Sequence, residues 1–502
     1  MADSVELRWP EADRRLTPKP LQSRYTSLFL AFICSFPYAQ LQYQQLAQAI
    51  TYITYTMTAS RARLLRQLYP YKHPSTSVDH LVVGGGVVGL SVAAALVNQT
   101  GRDRTTFVVE RHGQLGQETT ARNSEVIHSG IYYPVGSLKS RLCIAGRDLL
   151  YNRCQRLQIG YKNTGKIVVA TAKDQVPYLH KLQAHSAHSS FLSDPSDNTS
   201  SRIYAEFLPG DEARNLEPDL SSKVCAALHI PSTGIVDSQG LVDSLELEVE
   251  DPDYNSSPSG ERRGEGVIVK GTRVVRIDRE EKGEGWVVQM ETGWEDLGEG
   301  EKGEVESVRA GVVINAAGLN SVSLCEGVVP EDEMVQLWPV KGNYMSYKGP
   351  GIGKVSRLIY PCPSANVDHL GTHLTLDLDG HVRFGPDVQT IGTAADAKAN
   401  PDFWQSHLAA IDTPEAMSLF ARSVSDYLSI DPSGLSPDYS GIRPNIAPPG
   451  AGFSDFLIRH GEDRKGFVEL LGFNSPGLTS SLAVGEYVAK MISRDVYRSK
   501  SE

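Results

Sequence analysis

The apolar positions of this chain fall into two periods. Between Val78 and Arg111 the sequence reads VDHLVVGGGVVGLSVAAALVNQTGRDRTTFVVER. Leu81–Val83 is an unbroken apolar run that stops at glycines, which predicts a short buried strand. Val87–Val97 is Ala-rich and aliphatic, which predicts a buried helix, and TTFVVE (Thr105–Glu110) predicts a second strand. Further along, Thr272–Glu280, Gly285–Gly293 and Val308–Gly318 have strand-like composition. His373–Val388 (HLTLDLDGHVRFGPDV) predicts a hairpin turning at Asp379-Gly380. The run from Ser475 to Tyr497 predicts a C-terminal helix. Two polar stretches, Ser186–Ser201 and Glu250–Gly266, read as surface loops, and no repeat is evident.

At 502 residues the chain is too long for one ordinary core, and two or three lobes are expected. Its first 77 residues differ from the rest. Ser27–Ala39 is apolar but too short to span a bilayer. Arg14, Arg15, Lys19 and Arg24 precede it, as they would a signal-peptide apolar segment. Met57–Ser77 carries Arg61, Arg63, Arg66 and Lys72, several Ser and Thr and no acid, the composition of a mitochondrial transit peptide. The alternatives are an extension without a fold or a mis-set start codon. Mitochondrial location is therefore expected, cytoplasmic otherwise. The formal net charge of -11 argues against a nucleic-acid partner. The six cysteines are scattered without C-x-x-C, which speaks against a disulfide framework, a zinc site or dithiol chemistry. The sequons at Asn98, Asn198 and Asn255 then read as chance matches.

The glycines carry the first chemistry. In G-x-G-x-x-G, Gly84 makes the tight turn, Gly86 lets a pyrophosphate approach the backbone, and Gly89 lets the helix pack on the strand. The helix N-terminus offers free N–H groups to phosphate oxygens. Glu110 ends the second strand, about 20 residues past Gly89, where a ribose-binding acid is expected. An acid there fits an unphosphorylated ribose, in FAD or NAD. No second G-x-G-x-x-G occurs, and GPGIGK (Gly349–Lys354) reads as a turn because Val-Ser-Arg-Leu-Ile-Tyr-Pro follows it rather than a helix.

Several segments together carry a family resemblance: Asn123–Cys143, GIVDSQGL (Gly234–Leu241), INAAGLNS (Ile314–Ser321), Gly371–Val388, GIRPNI (Gly441–Ile446) and NSPGLTSSLAVGEYV (Asn474–Val488). They resemble the L-2-hydroxyglutarate dehydrogenase/oxidase family, within the D-amino-acid-oxidase-like FAD-dependent oxidoreductases, over about Val78–Ile492. The resemblance implies α/β and α+β architecture: a Rossmann-like FAD-binding domain assembled from separated segments, and a substrate domain on a mixed or antiparallel β-sheet. The expected division is extension 1–77, FAD segments 78–170, 236–335 and 439–502, and substrate segments 171–235 and 336–438. FAD is the implied cofactor. Beside Gly84, Gly86, Gly89 and Glu110, the cofactor set implied is Val87, Val88, Arg111, Arg122, Asn123, Ser124, Val275, Ala317, Gly318, Gly477, Leu478 and Thr479.

Oxidising a 2-hydroxy acid needs a base for the hydroxyl proton while a hydride leaves for the flavin; His373 is the first candidate and His128 the second. Substrate carboxylates need cations, and Arg443 is the expected reader, with Lys341 as a point charge and Tyr132 beside them. The N-terminus of the C-terminal helix is expected to stabilise negative charge on the reduced flavin. The typical family string has Glu where this chain has Asn474, which leaves the substrate open. The expected partners are a small 2-hydroxy acid and an electron acceptor: a quinone, an electron-transfer flavoprotein or oxygen. No transmembrane segment is expected, and peripheral membrane contact stays open. The rival readings are an amino-acid or sarcosine-type amine oxidase of the same fold, which needs no base, and a flavin-binding protein without turnover.

Overall fold

The computed structural model describes residues 61–99, 104–187, 203–251, 263–280, 284–296, 301–363, 371–392, 396, 400 and 402–497. Ser27–Ala39, Met57–Ser60, most of the two polar loops, Asn198 and Asn255 lie outside them.

The first sheet grows from the Thr76–Val83 strand. Thr105–Val109 runs parallel to it on one side and Glu304–Asn315 on the other. Glu265–Val269 extends the first edge, parallel to Thr105–Val109. The Glu304–Asn315 strand has two partners on its far side. Its N-terminal part pairs antiparallel with Trp286–Thr292, while Val313–Asn315 pair parallel with Phe467–Leu471. Thr272–Arg279 and Leu457–His460 close the two ends as antiparallel edges. Helices Val87–Gln99, Leu138–Leu157, Ser238–Glu250 and Gly477–Ile492 build one continuous core with this sheet.

The second sheet has nine strands and is mixed. Leu358–Pro361 and Lys166–Ala170 are parallel, and the other neighbours are antiparallel. The expected hairpin is present, with strands Leu374–Leu376 and Val382–Phe384 joined through Gly380 at φ +89°. A small sheet of Val126–Ile127, Gly234–Val236 and Tyr161–Lys162 completes the strands.

Three expected boundaries shift. Thr76 and Ser77 are already in ladder register with Val308 and Arg309. Upstream, Tyr69 Oη donates to Glu291 and the Lys72 amide donates to Gln289, so the frame begins before Val78. Lys166–Ala170, assigned to the first FAD segment, belongs to the second sheet, because its edges are taken by Leu358–Pro361 and Ala226–Ile230. Leu435–Asn445, which the expected boundary at 438/439 would cut, is one continuous strand paired with Trp338–Tyr347.

That strand also touches the cofactor lobe. A Cβ at Gly441 would collide with the carbonyl oxygen of Arg122. Tyr439 Oη donates to the Asn123 carbonyl at 2.5 Å, and Arg122 Nη1 donates to the Ser440 carbonyl at 3.3 Å. Among the described residues no helix is long and apolar enough to cross a membrane.

Candidate functional site

The three motif glycines have different neighbours. Gly84 has φ +112°, and a Cβ there would lie 2.5 Å from the Ala316 carbonyl oxygen. At Gly89 a Cβ would collide with the Gly84 carbonyl oxygen, so this glycine is where helix meets turn. At Gly86 a Cβ would meet only Thr120 Oγ1, at 3.2 Å, and the remaining space is cavity. Gly84 and Gly89 are thus demanded by the protein itself, whereas Gly86 is bare toward whatever occupies the cavity. Thr120 Oγ1 accepts from the Val87 amide at 3.2 Å, which fixes the loop over the helix N-terminus.

Glu110 sits at the end of its strand as expected. Its carboxylate accepts from the Gly85 amide at 2.7 Å and the His112 amide at 2.9 Å. Burial raises its pKa, and the two N–H donors oppose that rise. Arg111 is held by Glu118 at 2.5 Å and Asp402 at 2.7 Å.

A single cavity of about 1700 Å³ runs from this end to the second sheet. It exceeds the roughly 300–1,000 Å³ of a site for one drug-sized ligand, as a dinucleotide plus a substrate requires. Of the expected cofactor set, all but Gly89 and Thr479 line it. Thr479 is buried, accepting from the His128 amide at 3.0 Å and donating to the Val126 carbonyl at 3.1 Å, so it ties the C-terminal helix to the small sheet. Gly477 and Leu478, the first residues of a 16-residue helix, do face the cavity. The bare Gly86, the cavity-lining Glu110 and this second helix N-terminus together fit FAD.

The far end gathers His128, Tyr132, Tyr360, His373 and Arg443 on the same cavity. The His373 ring stacks on Tyr360 with centroids 3.5 Å apart and planes 10° off parallel. His128 Nε2 lies 3.2 Å from Ser475 Oγ, which in turn lies 3.3 Å from Tyr133 Oη. Its Nδ1 is buried with no hydrogen-bond partner among the described residues. Burial, and then the charge of Lys166, bring the His128 pKa down to about 3. His128 is therefore a neutral imidazole over the ordinary pH range.

Arg443 donates from Nη2 to the Asp387 carbonyl at 3.3 Å, while its buried Nη1 has no hydrogen-bond partner among the described residues. Burial lowers its pKa, and Tyr344 and Asp387 pull the other way. A guanidinium with one arm committed and one uncommitted can receive a carboxylate. Lys341 does not fit its expected role. Val340, Gly342 and Tyr344 line the cavity, but Lys341 alternates to the other face of the strand. Its ammonium donates to the Ala409 carbonyl at 2.7 Å.

Asn474, where the family string has Glu, accepts from Lys139 Nζ at 2.6 Å and donates to Asn445 Oδ1 at 2.6 Å. A carboxylate would meet the lysine but has no donor for Asn445. Thr120, Tyr360, Ser475 and Gly441 escaped the sequence reading. Thr120 sits in a polar run that looks like any loop, and Tyr360 in an apolar run that looks like core. The Gly-x-Arg pattern at Gly441 was a usable signal, since a glycine within a strand marks a close backbone approach, here to the Arg122 carbonyl.

The model of the "FAD dependent oxidoreductase" family matches residues 79–491. The mitochondrial L-2-hydroxyglutarate dehydrogenase of Arabidopsis thaliana is 32% identical, over 83% of this chain and 84% of its own length. The L-2-hydroxyglutarate dehydrogenase of Indibacter alkaliphilus is 26% identical, over 82% of this chain and 97% of its own. In three dimensions the dithionite-reduced, FAD-bound L-α-glycerophosphate oxidase of Mycoplasma pneumoniae superimposes with a TM-score of 0.63 at 21% identity, covering 83% of this chain and 95% of that one. The glycine oxidase of Geobacillus kaustophilus follows with a TM-score of 0.61 at 19% identity, covering 84% and 96%. With its bare Gly86, its cavity-facing helix termini and a family match across 79–491, the chain belongs to the FAD-dependent oxidoreductase family.

Proposed function

We propose that this protein oxidises L-2-hydroxyglutarate to 2-oxoglutarate at the far end of the cavity. The observation that carries the reading is Arg443: a buried guanidinium with Nη1 uncommitted, on the same cavity as the glycine cradle and His373. The names of the relatives in two kingdoms point to the same substrate. When bound, FAD supplies the two-electron acceptor. The chain supplies the rest: Arg443 grips a carboxylate, His373 accepts the hydroxyl proton, and the aromatic wall of Tyr132 and Tyr360 excludes water. Electrons then leave to a quinone, an electron-transfer flavoprotein or oxygen.

Anaerobic mixing of the FAD-loaded protein with hydroxy and amino acids tests this. L-2-Hydroxyglutarate bleaches the flavin absorbance; bleaching by an amino acid alone sinks the reading and favours the amine-oxidising alternative. In the same assay Arg443→Ala raises the substrate concentration needed by roughly 10–100-fold, the scale of about 1.5–3 kcal/mol for a charged hydrogen bond. Arg443→Lys recovers only part, because the fork is lost. Lys341→Ala, altered on the opposite face, leaves that concentration unchanged.

The same proposal places the protein in mitochondria, as the Arabidopsis relative is named. Because Tyr69 and Lys72 are bonded into the frame, the targeting information lies upstream of them. Residues 1–68 fused to a reporter carry it into mitochondria; a diffuse cytosolic signal removes the localisation and leaves the chemistry untouched.

A further inference from the structure

Behind Tyr132 and Tyr360 lies Lys166, at the start of the Lys166–Ala170 strand and 0% exposed. Its Nζ has no hydrogen-bond partner among the described residues. It sits 4.3 Å from the Tyr132 ring centroid and 4.7 Å from that of Tyr360. Both rings line the cavity, whereas Lys166 does not. Cation–π attraction offsets only part of the cost of burying an ammonium. Burial accordingly brings its pKa down to about 7, with the Cys143 thiol opposing the fall.

The groups around it carry no charge to balance it. Tyr132 and Tyr360 are phenols whose pKa values burial raises. On the Leu138–Leu157 helix, burial pushes the Cys143 thiol up to about 12. On the small-sheet side His128 is neutral. Among the described residues Lys166 forms no ion pair, so negative charge brought in front of the two rings would favour its ammonium form.

We propose that Lys166 is a proton-uptake site: negative charge delivered into the cavity in front of Tyr132 and Tyr360 draws one proton from solvent onto Nζ, and the ammonium holds that charge through the rings. Two sources deliver such charge. Two-electron reduction of the flavin consumes one proton there and leaves an anion; Lys166 takes a second. Entry of a substrate carboxylate consumes one proton, on Lys166 alone. This second source rests on the proposed substrate, whereas the first rests only on FAD.

The full-length, FAD-loaded protein is compared with Lys166→Met. Replacing an unpaired buried charge with an apolar side chain of similar shape is neutral or stabilising, so the variant folds. Its stability has a sign. The folded pKa lies below the unfolded value of about 10.4, so the unfolded chain binds more protons between the two. Native stability relative to the variant therefore rises as pH climbs above about 7. Parallel stability curves overturn the proposal.

In the first arm, the flavin midpoint potential is followed from about pH 7.5 to 9 without substrate. The native protein takes two protons per two electrons and the variant one. In the second, 2-oxoglutarate is titrated into the oxidised protein at about pH 8 in two buffers of different ionisation enthalpy. The native protein takes up close to one proton per ligand and the variant none. A Lys166-dependent proton in one arm alone assigns the charge to flavin or to carboxylate. Equal proton counts in both proteins, in both arms, overturn the proposal. If 2-oxoglutarate binds neither protein, the substrate reading fails and the reduction arm decides.

Discussion

Replacing His373 with alanine lowers the rate of flavin reduction by L-2-hydroxyglutarate roughly 10²–10⁴-fold, the usual contribution of a positioned base, and leaves the FAD bound. Three histidines line the cavity. His112 is held between Glu118 and Glu295 next to Arg111, and the surroundings of the other two separate them. Protonating His128 places an imidazolium where burial and the charge of Lys166 both oppose it, with no acceptor for the Nδ1 proton. With its pKa near 3, it is poorly matched to taking a hydroxyl proton at neutral pH. Its Nε2 contact with Ser475 suits a neutral ring that orients ligand and loop. His373 instead lies flat on Tyr360, which fixes the plane of a ring that lines the cavity. Stopped-flow reduction under anaerobic conditions measures the effect. An undiminished rate in His373→Ala removes it as the base, and an equally fast His128→Gln removes both histidines from that role.

Gly86→Val abolishes FAD binding while the protein stays folded. The intact fold separates this position from the other two glycines. At Gly84 and Gly89 a side chain would strike the protein's own backbone, so loss of cofactor there would be inseparable from damage to the turn. At Gly86 an added Cβ meets only a hydroxyl at 3.2 Å, and the valine methyls project into space a pyrophosphate needs. Purified Gly86→Val is colourless, with a circular dichroism spectrum like that of the native protein. A yellow variant at full flavin occupancy would falsify the assignment of the cradle.

The dinucleotide unit was legible because each of its steps is local. The Leu81–Val83 run, the Val87–Val97 helix and the Thr105–Glu110 strand appear within a few residues of their expected ends, since an apolar run and a glycine turn leave few alternatives. The Asp379-Gly380 turn was equally local. What sequence did not reveal depends on contacts far along the chain. Strand alternation puts Lys341 and Val340 on opposite faces, but only the pairing with Leu435–Asn445 decides which face meets the cavity. The Lys166–Ala170 strand is apolar after its first residue and could have served either lobe; its neighbours Leu358–Pro361 and Ala226–Ile230 assign it. Lys166 itself reads as a strand-end lysine in solvent until the rings of Tyr132 and Tyr360 are seen around it.

The shared edge of the Glu304–Asn315 strand has a consequence in time. The first strand, Thr76–Val83, finds a partner at once in Thr105–Val109, but its other edge waits for residues 304–315, and they in turn wait for Phe467–Leu471. The helix whose N-terminus faces the flavin end of the cavity comes later still, at Gly477–Ile492. At translation rates of about 5–20 residues per second, the glycine cradle leaves the ribosome roughly 20–80 s before the chain that completes its sheet. Throughout that interval the apolar faces of the first unit lie open, an exposure for chaperones to cover. The cavity gains its second helix N-terminus only once residues 477–492 have emerged, so a shorter nascent chain offers flavin the glycine cradle alone.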